Sequence, residues 1–209
     1  MRMTKTLFVA AFFALCVLSA PLVQAASPAH DTLEKSINKV LNIIKQPAYA
    51  NPAMRGALKQ EIEAELRSSF DFGEFSLRTV GPRWKEFSAD QQQRFCDAFA
   101  SLLMRTYVDK IDGYNGEQVT FTGERANSKG DKVEVQTSIA MKNGKKIPVS
   151  YRMLSKDGAW RVYDVVVENI SLVMNYRSQF QEILSSAKPD ELIAKVQAKV
   201  DEMAGKGSK

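Results

Sequence analysis

The sequence predicts an α+β fold: helices, then a four-stranded antiparallel meander, then helices again, with the helices covering one face of the sheet. Three observations carry this. Apolar residues recur at helical spacing up to about residue 111, alternate with polar ones from 119 to 167, and return to helical spacing after 170. Asn143-Gly144 and Asp157-Gly158 separate alternating segments, and both pairs tolerate the positive φ that tight hairpins need. Of 209 residues, 44% are hydrophobic and 25% charged, which suits one packed domain.

The elements follow in order. Residues 26–31 read as a polar lead, and Asp31 to Gln46 then places Leu33, Ile37, Val40, Leu41 and Ile44 on one helical face. Asn51-Pro52 reads as an N-cap followed by proline at the first helical position, opening a second helix to about Ser69. Phe70-Asp-Phe72 opens a short third helix ending near Gly81-Pro82. Ser88-Ala-Asp-Gln91 is a capping box, and a long helix runs from it to about Ile111.

Four strands are expected next. Val119 and Phe121 lie on the first, and Val133, Val135, Thr137 and Ile139 on the second. Ile147, Val149, Tyr151 and Met153 lie on the third, and Trp160, Val162, Val165 and Val167 on the fourth. Alternation of this kind gives an antiparallel sheet with one apolar and one wet face. Helices are expected again from Ile170 to about Ser186 and from Pro189 to Met203, with Gly205 as the stop.

The first 25 residues read as a cleaved secretory signal. Arg2 and Lys5 form a positive start, Leu7 to Leu18 is almost unbroken apolar sequence, and Val23-Gln24-Ala25 suits cleavage after Ala25. The run is short for a membrane span, and Cys16 inside it lacks the context for lipidation. Residues 26–209 then form a single domain. Removing Arg2 and Lys5 from the 29 basic residues leaves 27 against 24 acidic ones, net +3. These charges are scattered, with no basic stripe of the kind nucleic-acid binding requires. Cys96 is left as the sole cysteine, without a disulfide partner, and reads as a small hydrophobe in a helix.

Catalytic chemistry finds no foothold in this pattern. His30 is the only histidine and falls in the polar lead, so neither a Ser-His-Asp site nor a histidine-rich metal site is expected. No Gly-rich phosphate loop is present, and Glu61, Glu63 and Glu65 read as a solvated helix face. No catalytic residue, metal or cofactor is expected. The surplus is aromatic and apolar. Periodicity is equally consistent with a closed core and with a cleft.

Two stretches carry a family resemblance. In Tyr163 to Phe180, a strand ending in Tyr-Asp is followed by an acidic turn and Ser-Leu-Val-Met-Asn-Tyr-Arg, with Asp164, Ser171, Leu172, Asn175, Tyr176, Arg177 and Phe180 matching. Phe70-Asp-Phe72 through Val80-Gly81 and Trp84 to Phe95 is the second. Together they resemble the MlaC family of periplasmic lipid-binding proteins, also known as toluene-tolerance proteins. Asn169 replaces the family's usual glycine, and asparagine is the next residue to tolerate positive φ. Pro82 follows Gly81 where the family varies.

The resemblance implies a monomeric phospholipid shuttle between an outer-membrane lipoprotein complex and an inner-membrane ABC transporter with a substrate-binding ring. Acyl chains would occupy an apolar cavity between sheet and helices, with the head group at its mouth. The expected lining from the strands is Phe121, Val133, Val135, Ile139, Val149, Tyr151, Met153, Val165 and Val167. From the helices it is Phe72, Phe75, Val80, Trp84, Phe99, Leu103, Leu172 and Tyr176. Asp164, Asn175 and Arg177 read either as a head-group or partner contact, or as a hydrogen-bonded lock between helix and sheet. The rival readings are a binder of another apolar ligand (hopanoid, fatty acid or solvent), a periplasmic chaperone or scaffold with a closed core, and an enzyme such as a hydrolase, against which the lone His30 speaks.

Overall fold

The computed structural model describes residues 26–206, so the expected export signal in residues 1–25 lies outside the described residues. Six α-helices and one five-stranded antiparallel sheet make up the described chain. Helix α1 is Pro28–Ile44, α2 Pro52–Ser69, α3 Phe72–Val80, α4 Ala89–Val108, α5 Leu172–Leu184 and α6 Pro189–Lys206. Strands β1 Gln118–Ala126, β2 Lys132–Ala140, β3 Lys146–Lys156, β4 Ala159–Val167 and β5 Ile170–Ser171 pair in chain order.

Caps set the helix boundaries. Helix α1 starts at Pro28, earlier than the pattern of large apolar residues indicates. The Ser27 hydroxyl accepts from the His30 N–H (3.2 Å) and donates to Glu124 on β1 (2.7 Å). His30 is therefore no part of a polar lead; it sits in the first turn, its ring 4.4 Å from that of Phe121. Asn51 Oδ1 caps α2, and the capping box at Ser88 and Gln91 is reciprocal, with bonds of 2.9 and 3.2 Å. Helix α4 stops at Val108, and a 3₁₀ turn over Asp109–Gly113 carries the chain on past the expected end at Ile111.

The fifth strand corrects the four-stranded expectation. Glu168 and Asn169 both take positive φ (48° and 68°), which makes a two-residue primed turn and brings Ile170 and Ser171 back alongside Val166 and Val167. Ser171 must stay extended here because its hydroxyl caps α5, accepting from the Met174 N–H at 3.1 Å. The helix expected from Ile170 thus begins at Leu172. At the other end, Gly205 does not stop α6, which runs to Lys206.

Sheet register puts the apolar set on one face: Val133 opposes Met153, Val135 opposes Tyr151 and Ile139 opposes Ile147. Helices α1 and α2 pack over the sheet from that side. Helices α3 to α6 form a separate cluster, tied to β4 where the Asp71 N–H donates to the Val162 carbonyl (2.9 Å). Gly81 closes α3 at φ 69°, and a Cβ there would meet the Arg177 guanidinium at 2.8 Å. Only glycine combines that backbone with that approach.

Candidate functional site

The apolar residues of the chain gather into three clusters. One unites α3 to α6 around Phe75, Phe95, Phe99 and Phe180. A second joins the start of α1 (Ala29, Leu33) to Val133, Val135, Met153 and Val162 of the sheet. The third joins the end of α1 (Ile43) to Tyr49, Leu58, Ile62, Met104 and Val108. Helix α1 is thus fastened at both ends to different neighbours, and a cavity runs beneath its middle.

That cavity has a volume of about 410 Å³. Pockets of small-molecule sites span roughly 300–1,000 Å³. Leu33, Ile37, Val40, Leu41 and Ile44 of α1 form its roof, and Val119, Ile139, Met141, Tyr151 and Val162 its floor. Leu66, Ser69 and Phe70 close one side. Leu33 and Val162 are buried at the inner end, whereas Tyr107, Ile111, Gly113, Tyr114 and Glu117 mark the more exposed mouth. From Leu33 to Ile44 the roof is about 16 Å long at 1.5 Å per residue.

Few polar groups interrupt this wall, and its two serines are paired. Ser36 and Ser69 share a hydrogen bond of 2.8 Å, and Ser69 donates to Glu65, which also pairs with Lys39 at 2.7 Å. Burial pushes the Glu65 carboxyl up, but bonds from Lys39, Ser36 and Ser69 outweigh it and hold the group below the usual value. Burial pushes the Tyr151 phenol up to about 12 against a hydrogen bond to Thr137, so the group facing the cavity stays neutral. The interior is thus apolar, with Glu117 at the mouth as its one charged lining residue among those described. Cys96 is half-buried, and burial pushes its thiol up, away from the reactive thiolate. His30, Asp31 and Glu34 bring three potential ligand atoms within 4.8 Å, but both carboxylates lie exposed on α1, away from the cavity.

Of the expected lining, Ile139 and Tyr151 face this cavity. Phe75, Val80, Phe99, Leu103 and Tyr176 are buried in the closed cluster of α3 to α6, with Trp84 and Leu172 packed against it. Phe72 bridges that cluster and the one at the end of α1. Val133, Val135 and Met153 are sealed under the start of α1, with Phe121 and Val165 beside them. Val149 is buried opposite Thr137 and Val167, and Val167 pairs with Ile170 at the sheet's end. The α1 face was legible as an apolar stripe. What marks it as a cavity wall is that Ile37, Val40, Leu41 and Ile44 stay half-exposed after folding.

Asp164 forms a lock. Its carboxylate, 2% exposed, accepts from the Val173 N–H (3.0 Å), the Ser171 hydroxyl (2.7 Å) and Arg152 (3.0 Å), fixing the start of α5 to β4. Arg177 rests against Gly81, and Asn175 is exposed. Asp164 and Arg177 line a recess with Arg78, Arg152 and Tyr163 that shares no lining residue with the cavity.

An antiparallel sheet roofed by a standing-off helix, with an apolar cavity between, defines a small-molecule binding domain of the α+β class. The family follows from the comparison of sequences: the model of the MlaC protein family matches residues 34–198, and the chain belongs to that family. An intermembrane phospholipid transport system binding protein MlaC from Haemophilus influenzae is 25% identical over 173 residues, 81% of this chain and 77% of that protein. The toluene tolerance protein ttg2D of Pseudomonas putida is 24% identical over 164 residues, 78% of this chain and 76% of the relative. The fold matches that of a phospholipid-binding protein from Ralstonia solanacearum, solved with a phospholipid bound. The TM-score is 0.74 at 24% identity, covering 85% of this chain and 99% of that one.

Proposed function

We propose that this protein is an exported carrier that holds a phospholipid by its acyl chains in the cavity under α1 and moves it between membranes without chemical change. The observation that carries the reading is the cavity itself: a long, largely apolar channel whose roof residues stay half-exposed in the folded chain. The names of the relatives support it, since one is a phospholipid transport binding protein and the structural neighbour was solved with a phospholipid. Residues 1–25 would be the signal that delivers the chain to the periplasm. There it would act as a monomer, docking in turn with an outer-membrane lipoprotein complex and an inner-membrane ABC transporter with its substrate-binding ring. Among the described residues no helix is long and apolar enough to cross a membrane.

Energetics suit the role. Each acyl methylene that the cavity takes from water gains about 0.8 kcal/mol. A bilayer offers nearly the same gain, so exchange between membrane and cavity is close to neutral while escape into water is blocked. Such exchange needs no catalytic group.

Native mass spectrometry of the protein purified from the periplasm, followed by solvent extraction, tests the reading. A stoichiometric phospholipid is the expected result. A protein that arrives empty and takes up no lipid from vesicles would overturn it, and a fatty acid, hopanoid or solvent in the cavity would reassign the cargo.

A further inference from the structure

The cavity does not end in open solvent alone. Ile44, Ile111 and Tyr114, which line its mouth, also line a second recess of about 290 Å³ whose remaining walls are Gln46, Tyr49, Ala50, Arg55 and Asp112. The apolar cavity and a small polar annex at the end of α1 therefore adjoin along these three residues. An amphiphile seated in the cavity with its polar end beside Ile44, Ile111 and Tyr114 would bring that end next to this annex.

Arg55 is the cation there, and it is held in place. Its Nε–H donates to the Tyr49 carbonyl (2.9 Å) and one amino group to the Ala50 carbonyl (3.2 Å), while the guanidinium lies 5.9 Å from the centre of the Tyr49 ring. These bonds engage two of the five N–H donors of an arginine. Among the described residues no carboxylate pairs with Arg55. Asp112, the anion of the annex, accepts from the Tyr49 hydroxyl (3.0 Å) and pairs with Lys59 (2.7 Å). Burial raises the Asp112 carboxyl, but Lys59 and Tyr49 more than offset this and keep it ionised. Asp112 is thus bonded to Lys59 and Tyr49 and acts on Arg55 only through space, so the positive charge of Arg55 has no carboxylate bonded to it among the described residues.

We propose that Arg55 is a head-group site: its free N–H donors bind the phosphate of the lipid whose acyl chains fill the cavity, a step that rests on the carrier reading above. A half-buried guanidinium, anchored on two carbonyls and one ring, keeps a fixed fork that matches two phosphate oxygens. The recognised chemistry is a phosphate monoanion at the end of an apolar body. It is common to all phosphodiester lipids, so the site selects for the phosphate and is indifferent to the alcohol beyond it. The recess containing Arg177 has no such connection to the cavity, and its Asp164 and Arg152 are committed to each other.

The test compares two ligands with the same acyl chains. The full-length mature protein is stripped of lipid and equilibrated with vesicles carrying phosphatidylglycerol or the matching diacylglycerol, which lacks the phosphate. Bound ligand is counted by native mass spectrometry. Wild type is expected to favour the phospholipid, and Arg55→Ala to lower its occupancy about five- to tenfold while leaving the diacylglycerol unchanged, as for the loss of a half-exposed charged hydrogen bond. Arg55→Lys should recover part of the difference, because it keeps the charge and loses the fork. An equal fall for both ligands would mean that Arg55 only supports the surrounding turn, and would overturn the proposal. Arg55-dependent broadening of the ³¹P line of inorganic phosphate, with lipid occupancy indifferent to Arg55, would assign the site to free phosphate and overturn it too. A wild type that binds neither lipid would instead overturn the carrier reading.

Discussion

The cluster of α3 to α6 and the cavity under α1 are built from the same kinds of residue, yet one is filled by its own side chains and the other is not. In the cluster, the ring of Phe99 lies 5.6 Å from Phe95, 4.9 Å from Tyr176 and 5.2 Å from Phe180, and Phe75, Phe95 and Phe99 have no exposed surface. Under α1, Ile37, Val40, Leu41 and Ile44 face Val119, Ile139 and Met141 across open space. The difference lies in how the helices are held. The start of α1 is tied to β1 through Ser27 and Glu124, and its end packs on α2 and α4, so its middle cannot settle onto the sheet. Apolar side chains left half-exposed by such a span retain surface that an acyl chain can cover.

The comparison can be broken by substitutions that act on one region and spare the other. The largest effect belongs to the closed cluster. Phe99→Ala should cost about 3–5 kcal/mol through the cavity it opens. The melting temperature would fall by roughly 10 °C, read by calorimetry, with lipid occupancy of the folded fraction unchanged. Next is the lock at β4. Asp164→Ala strands the Val173 N–H, the Ser171 hydroxyl and Arg152, and should cost about 2–4 kcal/mol in chemical denaturation. Asp164→Asn should recover part of this, because it keeps an acceptor for Val173.

A cavity substitution should behave in the opposite way. Ile37→Trp places a ring where the chains would lie, so lipid occupancy should fall about tenfold while stability changes by less than about 1.5 kcal/mol. A cost as large as that of Phe99→Ala would show that the region under α1 is closed core, and the comparison would collapse. The smallest effect is electrostatic. Because the Glu65 carboxyl is held below its usual value, its contribution is present at neutral pH and fades as pH falls from about 4 through the depressed folded value. The stability difference between wild type and Glu65→Gln should stay under about 1 kcal/mol and shrink toward zero below that pH in thermal melts, as the Lys39 partner is largely exposed.

Much of the fold was legible. The capping box at Ser88, the proline after Asn51 and the period change near residue 119 are local signals, and each appears where expected. The Asp157-Gly158 turn has both residues at positive φ, and Asn169 takes the positive φ expected of it as a stand-in for glycine. The two-residue strand β5 was hidden, because Ile170 and Ser171 are too short a run to alternate and are extended only to serve as a cap.

The site was less legible, for a physical reason. Phe99 and Tyr176 have the size and hydrophobicity of cavity residues, but their rings meet each other at 4.9 Å. Ile37 and Val40 read as an ordinary packed stripe, but they overhang a gap. Period and composition state which side of an element is apolar, and both regions satisfy them equally. By itself the sequence determined the α+β order, the caps at Asn51 and Ser88, the Asp157-Gly158 turn and the family's motifs, because those depend on neighbours a few residues apart. Only the tertiary structure decided which apolar face closes and which stays open. That depends on α1 being anchored at its two ends to partners distant in the chain, too far apart for its middle to collapse.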